Sequence, residues 1–398
     1  MAFSFFDDDG FNFEVQTLLG SVRTGCGDAG EILATVATIA NGDATSWVSA
    51  WQALGDRVAA IADAAAARHH GVSARDAYLR AATYYATALT SVDGVDDPET
   101  ALQQVFAQHR RCFDAYVERL EPPAFNVDVP YGHSRMPGYL FVPDTGGTPR
   151  GTLVLNNGSD GAVTSLLGMA KAACDRGYNA LIFDGPGQQS VLFEQGIPFR
   201  ADWEHVITPI VDFLSQRPEV DPDRIALYGI SQAGYWVPRA LAHEHRIAAA
   251  VADPGVVDVS TSWVQHLPKE MVTMLEQGDR TTFDQWMQFG QSTPQEAQAF
   301  AWRAKPYGIT DPFDLFVAVG TYTLDPDEIG TITTPLLVTD PEGEQFWPGQ
   351  SKRLYDALPG AKQLVSFTAA EGADRHCEPM GRSLLEQRVF DWLDETLA

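Results

Sequence analysis

The stretch Ile225-Ala226-Leu227-Tyr228-Gly229-Ile230-Ser231-Gln232-Ala233-Gly234 carries an apolar run into a Gly-x-Ser-x-Ala-Gly turn. These residue types suit a nucleophilic serine. A serine on a sharp turn between strand and helix stands clear of both, and small neighbours let the two elements approach closely. The serine motif alone arises often by chance, and the strand before it and helix after it give it weight. Such a serine needs a base. The last of the nine histidines, His376, stands in Glu371-Gly372-Ala373-Asp374-Arg375-His376-Cys377, a loop between the last apolar run and the closing helix. The other histidines match no such position, and His243 and His245 read as residues at a helix end.

The base needs an acid to orient it. The apolar run Pro335 to Val338 leads into Thr339-Asp340-Pro341-Glu342-Gly343-Glu344-Gln345-Phe346-Trp347-Pro348. Glu344, four residues before Pro348, is the candidate. Asp340 and Glu342 compete with it locally, and Asp253 is a further option. Negative charge developing on an attacked carbonyl needs backbone N–H donors. The expected donors are the amides of Gln232 and of Ser159, the latter in Asn156-Asn157-Gly158-Ser159-Asp160. The turn Asp184-Gly185-Pro186-Gly187-Gln188 is glycine-rich but lacks the Lys-Ser or Lys-Thr of a phosphate loop, and its aspartate would repel phosphate. It reads as a structural turn beside the site. Asn157, Asp184, Trp263 and Tyr84 are the candidate substrate contacts.

These residues must be held by a framework, which the rest of the chain supplies. Residues 1–120 read as helical: Ser46 to Arg68, a second helix opened by a Ser73/Asp76 capping box, and a third opened by Asp97-Pro98-Glu99. From 121 to 258 strands and helices alternate, with apolar runs at 125–129, 138–142, 152–156, 178–183, 224–230 and 247–252. Residues 259–330, with Trp263, Met271, Met274, Trp286, Met287 and Trp302 at helical spacings, form a helical excursion. Residues 331–398 return to strand and helix. Continuous apolar strands alternating with helices predict an α/β fold, a mostly parallel sheet covered on both faces. The first two strands lack a helix between them and should form an antiparallel edge. The aromatic residues Trp47, Trp51, Tyr84, Tyr85, Trp263 and Trp286 could line an apolar lid, though most suit core packing between helices.

Composition narrows the function. Of 398 residues, 45% are hydrophobic and 20% charged, ordinary for a globular chain, and the formal net charge is −26. A chain this acidic is repelled by nucleic-acid and anionic lipid phosphates. It has no apolar run long enough to span a membrane. Met1 to Asn12 places Asp7, Asp8 and Asp9 where a secretion signal would carry positive charge. Four cysteines without CxxC spacing argue against a disulfide framework or zinc site and fit a reducing cytoplasm. No metal or cofactor is expected.

Taken in order, Asn157-Gly158, Phe183 to Gln188, Gly229-x-Ser231-x-Ala233-Gly234, Pro348-Gly349-Gln350 and Gly372-Ala373-x-x-His376-Cys377 resemble one branch of the alpha/beta-hydrolase superfamily. That branch contains dihydroxypseudooxynicotine hydrolase, the fungal yellowish-green polyketide-shortening hydrolases and the fermentation-respiration switch proteins. The resemblance covers nearly the whole chain, including an N-terminal helical segment. It implies an eight-stranded hydrolase core with a helical cap, and a homodimer by analogy. It also implies hydrolysis of a carbon–carbon bond next to a ketone in an aromatic or polyketide-like small molecule. Departures are Ala233 where glycine is usual and Glu344 where aspartate is commoner; the second leaves the identity of the acid open. A carboxylesterase or lactonase, an acyltransferase, and a non-catalytic binding module on the same fold remain as alternatives.

Overall fold

The computed structural model describes residues 4–290 and 293–398, without the side chains of residues 294 and 295. Met1 to Phe3 of the acidic N-terminal segment, and residues 291–292 of the helical excursion, lie outside the described residues. The chain divides into two compact units. The first comprises residues 1–125 with 164–168 and 293–303; the second comprises 126–163, 169–292 and 304–398.

The helices in chain order are α1 Asp9–Ser21, α2 Ala29–Val36, α3 Ala44–Ala67, α4 Gly71–Leu89 and α5 Pro98–Val117, then α6 Leu167–Asp175, α7 Gln189–Phe193, α8 Glu204–Leu214 and α9 Ala233–Leu241. The excursion holds α10 Thr261–Val264, α11 Lys269–Gln277, α12 Arg280–Gly290, α13 Pro294–Ala304, α14 Pro312–Val319 and α15 Pro326–Gly330. After it come α16 Gln350–Ala357 and α17 Arg382–Thr396.

Helix α3 shows why the first unit folds. Asp43 caps it by accepting the Ser46 amide, and Trp47, Trp51, Leu54, Val58 and Ala62 recur on one face and are buried. At Gly55 a side chain would meet the Tyr85 ring at 2.8 Å, so α3 and α4 approach through that glycine. One sequence expectation is corrected here. Helix α4 begins at Gly71, two residues before Ser73, and its N-cap His70 makes no side-chain capping bond. The chain leaves α3 through His69 at φ +58°, and the new helix starts at once. Helices α1 and α2 lie in the segment read as helical but were not placed individually; Asp8 and Asp28 open them as N-caps.

The second unit holds an eight-stranded sheet: β1 Ala124–Tyr131, β2 Ser134–Phe141, β3 Arg150–Asn156, β4 Asn179–Phe183, β5 Val220–Ile230, β6 Ala249–Asp253, β7 Leu336–Pro341 and β8 Lys362–Phe367. The spatial order is β1-β2-β4-β3-β5-β6-β7-β8. Strand β2 runs antiparallel to β4, and the pairs from β4 through β8 are parallel. This is the expected α/β architecture with its antiparallel edge. The chain passes from β3 outward to β4, then returns to β5 on the other side of β3. The loops after β3 and β5 therefore diverge at a topological switch point, where open α/β sheets form their ligand crevice. Asn156 pairs with Gly229 across these strands, which sets the two loops at one level of the sheet.

Candidate active site

Ser231 sits between β5 and α9 with φ +59°, a left-handed conformation that costs a non-glycine residue about 1–3 kcal/mol. Packing enforces it. A side chain at Gly229 would lie 2.6 Å from the Ala233 carbonyl, and one at Gly234 would lie 1.8 Å from the Pro254 carbonyl. The tightest approach thus falls at Gly234, and the methyl group of Ala233 is accommodated in the buried first turn of α9. The Ser231 amide donates to the Asp253 carbonyl at 2.6 Å, tying the turn to the end of β6.

The Ser231 hydroxyl lies 2.9 Å from His376 Nε2, and His376 Nδ1 lies 2.8 Å from Glu344 Oε2. An ionised carboxylate only accepts, so Nδ1 carries the proton and Nε2 is left as an acceptor for the serine. Burial works to raise the Glu344 carboxyl. The His376 imidazole beside it and the Trp347 and Phe346 amides hold it below the usual glutamate range. The acid and base loops are stitched together: the Gly343 amide donates to the Asp374 carbonyl, and the His376 amide to Gln345 Oε1. The Phe346 ring packs edge-on against the imidazole at 4.7 Å.

Two of the competing acids are bonded elsewhere. Glu342 accepts the Ala369 amide. Asp253 accepts the Tyr228 and Thr339 hydroxyls. Asp340 lies at the end of β7, where burial pushes its carboxyl up.

The loop after β3 comes directly against the serine. A side chain on Gly158 would meet Ser231 Cβ at 2.6 Å and Oγ at 3.1 Å. Asn157 is buried; its amide donates to the Ala162 carbonyl, which shapes the loop that carries Ser159. Asp184 is fully buried, and one of its oxygens accepts both the hydroxyl and the amide of Ser190. It thereby locks the turn into α7. Trp263 packs edge-on against Tyr307 and Phe316, and the Tyr307 hydroxyl donates to Gln232 Oε1 at 3.3 Å. Tyr84 lies in the first unit as a fully buried packing residue. Its hydroxyl donates to Glu31 and accepts the Asp28 amide, and its ring stacks on Trp51. Tyr84 is thus corrected from a substrate contact to a structural role, because its hydroxyl is taken up inside the first unit, and Asp184, fully buried, serves the turn into α7 through the oxygen bonded to Ser190.

Sequence reasoning gave no role to the side chain of Gln188, which reaches the Asn157 and Gly158 carbonyls. The signal was the uncommon turn that it ends. Gln350 was likewise read only as part of a motif. Its side chain binds the Val257 and Asp258 amides and the Asp258 carbonyl, fixing the loop after β6. Among the described residues, Asp202, Glu204 and His205 bring metal-ligand types together. Arg200 chelates Asp202 and Arg239 chelates Glu204, so positive charge already fills that cluster.

Comparison with known proteins agrees with this architecture. The chain matches no family model. It is 29% identical over 404 residues to the Hydrolase LUC6 of Fusarium sp, covering 97% of this chain and 96% of the relative. It is 28% identical over 411 residues to the 20-hydroxy-prefusarin hydrolase FUS2 of Gibberella moniliformis, covering 99% and 98%. The crystal structure of the 2,6-dihydroxy-pseudo-oxynicotine hydrolase superposes with a TM-score of 0.75 at 18% identity, covering 96% of each chain. The fold is that of the alpha/beta hydrolases, and the chain's full-length relatives are named hydrolases. Its likenesses fall in the branch that the sequence motifs resemble, and among the described residues no helix is long and apolar enough to cross a membrane.

Proposed function

We propose that this hydrolase is serine-dependent and cleaves a carbon–carbon bond next to a ketone in an aromatic or polyketide-like small molecule. The observation that carries the reading is the relay from Glu344 through His376 to Ser231, at 2.8 and 2.9 Å, facing a loop that presses Gly158 against the serine. His376 Nε2 takes the hydroxyl proton as Ser231 Oγ attacks the substrate carbonyl. The oxyanion accepts from the Gln232 and Ser159 amides. The C–C bond breaks with its electron pair moving into the neighbouring ketone as an enolate, which His376 reprotonates. Water, deprotonated by the same imidazole, then releases the acyl group as an acid.

An enolate leaves only if it is stabilised. Gln232 Nε2 is buried and has no hydrogen-bond partner among the described residues, so the residue after the nucleophile has a donor to offer. Trp263 and Tyr307 supply aromatic surface beside that side chain. The names of two likenesses, a prefusarin hydrolase and an oxynicotine hydrolase, agree with a functionalised small molecule. Ester hydrolysis is the second reading, since the same relay serves it unchanged.

The test is a paired turnover assay of wild type and Ser231→Ala on p-nitrophenyl esters, aryl ketones and 1,3-diketones. Ketone or diketone cleavage lost in the variant, with an unchanged melting temperature, is the expected result. Fast ester cleavage with inert ketones makes the chain an esterase. Turnover surviving in Ser231→Ala overturns the nucleophile.

A further inference from the structure

The turn 184–188 ends in a side chain whose amide bonds both its own turn and the loop after β3. Gln188 is buried, and its Oε1 accepts the Gly185 amide at 2.9 Å. Its Nε2 donates to the Asn157 carbonyl at 2.7 Å and to the Gly158 carbonyl at 3.0 Å. The turn holds it there: the Gln188 amide donates to the Gly185 carbonyl, and Gly187, at φ +75°, lies so close to Phe199 that a side chain would clash at 2.0 Å. One planar amide supplies two donors and one acceptor in this geometry. Glutamate would set an anion against two carbonyls, and methionine offers no donor and only a weak acceptor.

In a trans peptide the N–H points opposite the C=O. Fixing the Gly158 carbonyl toward Gln188 therefore turns the Ser159 N–H away from it. Gripping two successive carbonyls turns the Gly158 and Ser159 N–H groups to the opposite side of the loop, the arrangement that makes an anion-binding concavity. Gly158 is the residue seated against Ser231. The Asn157 carbonyl has a further holder, Asn156 Nδ2 at 2.7 Å, and Asn156 in turn accepts from the Trp203 indole at 2.6 Å.

We infer that Gln188 is a positioning residue that aims the Ser159 amide at the oxyanion formed on Ser231 attack. The inference rests on the serine-dependent reading above. A preorganised donor matters only where charge develops, so its misaiming lowers kcat and leaves ground-state binding alone.

The experiment uses the full chain with Gln188→Glu and Gln188→Met, beside Ser231→Ala. Active sites are counted by fluorophosphonate labelling so that partly unfolded protein does not enter the rate. The readouts are kcat per labelled site and KM on the best substrate of the panel, and the affinity for an aryl boronic acid, whose serine adduct places an anionic oxygen in the oxyanion site. Expected is a loss of kcat of roughly 10- to 100-fold in both variants with KM nearly constant, and a parallel loss of boronate affinity. Normal kcat per labelled site, or a KM increase that accounts for the loss, overturns the assignment. Undiminished turnover by Ser231→Ala overturns the serine-dependent reading itself, whereas a dead Ser231→Ala beside unimpaired Gln188 variants overturns only the role of Gln188.

Discussion

Glu344 is the carboxylate bonded to His376 Nδ1, and in the proposed mechanism that bond determines which nitrogen of His376 can take the serine proton. Replacing Glu344 by glutamine keeps the shape but offers an amide N–H₂ to the ring, which favours the wrong tautomer. Glu344→Gln should lower kcat by roughly 10³- to 10⁴-fold, the scale seen when an orienting acid is converted to its amide. Asp340→Asn should leave kcat within a few-fold, since Asp340 takes no part in the bond to His376 Nδ1. Steady-state kinetics on the two variants checks both, and the opposite ranking would transfer the role to Asp340. The sequence could nominate Glu344 only by its spacing to Pro348. What singles it out in three dimensions is the pair of amides from Phe346 and Trp347 on its second oxygen, which no pattern of residue types reports.

At the scale of elements, the turn between β5 and α9 is closed by contacts with the end of β6. Gly234→Ala would drive a methyl into the Pro254 carbonyl and should destabilise the protein by about 1–3 kcal/mol. Ala233→Gly removes only a helix-favouring methyl and should cost about 1 kcal/mol or less. Equilibrium urea unfolding compares the two, and a Gly234→Ala variant as stable as wild type would contradict the packing. The strands were legible because continuous apolar runs in a parallel sheet need no partner information to be recognised. The bounds of helices α1 and α2 were not, because Asp8 and Asp28 read as surface charge until their side chains are seen accepting the Phe11, Gly30 and Glu31 amides. The grip of Gln188 on the loop after β3 was invisible for another reason. It spans residues 157 to 188, and only the strand order brings them together.

For the whole molecule, the net charge of −26 has a partly local explanation. Asp8, Asp28, Asp43, Asp97, Asp311 and Asp325 all cap helix N-termini, where a negative side chain meets the positive end of the helix dipole. One acidic residue works against the fold at high pH. Glu378 is fully buried, and burial, then the neighbouring Asp253 carboxyl, push its own carboxyl well above the usual range. Arg382 opposes this shift and Glu344 adds to it. Tyr228 and Cys377, close to the same carboxyls, are themselves raised by burial. The folded form thus holds a proton that the unfolded chain releases near pH 4.5. The stability from that proton is complete below this value and is lost as pH rises toward the folded one. Melting curves from pH 5 to 9 should therefore fall more steeply for wild type than for Glu378→Gln, and parallel curves would refute it. Finally, Trp203 and Trp236 stack at 4.0 Å with 13° between their planes. Two indoles so placed are coupled chromophores, and the N–H of one is fixed to Asn156, which also holds the Asn157 carbonyl. The protein thus carries a native optical gauge of the loop after β3, readable in near-ultraviolet dichroism without any label.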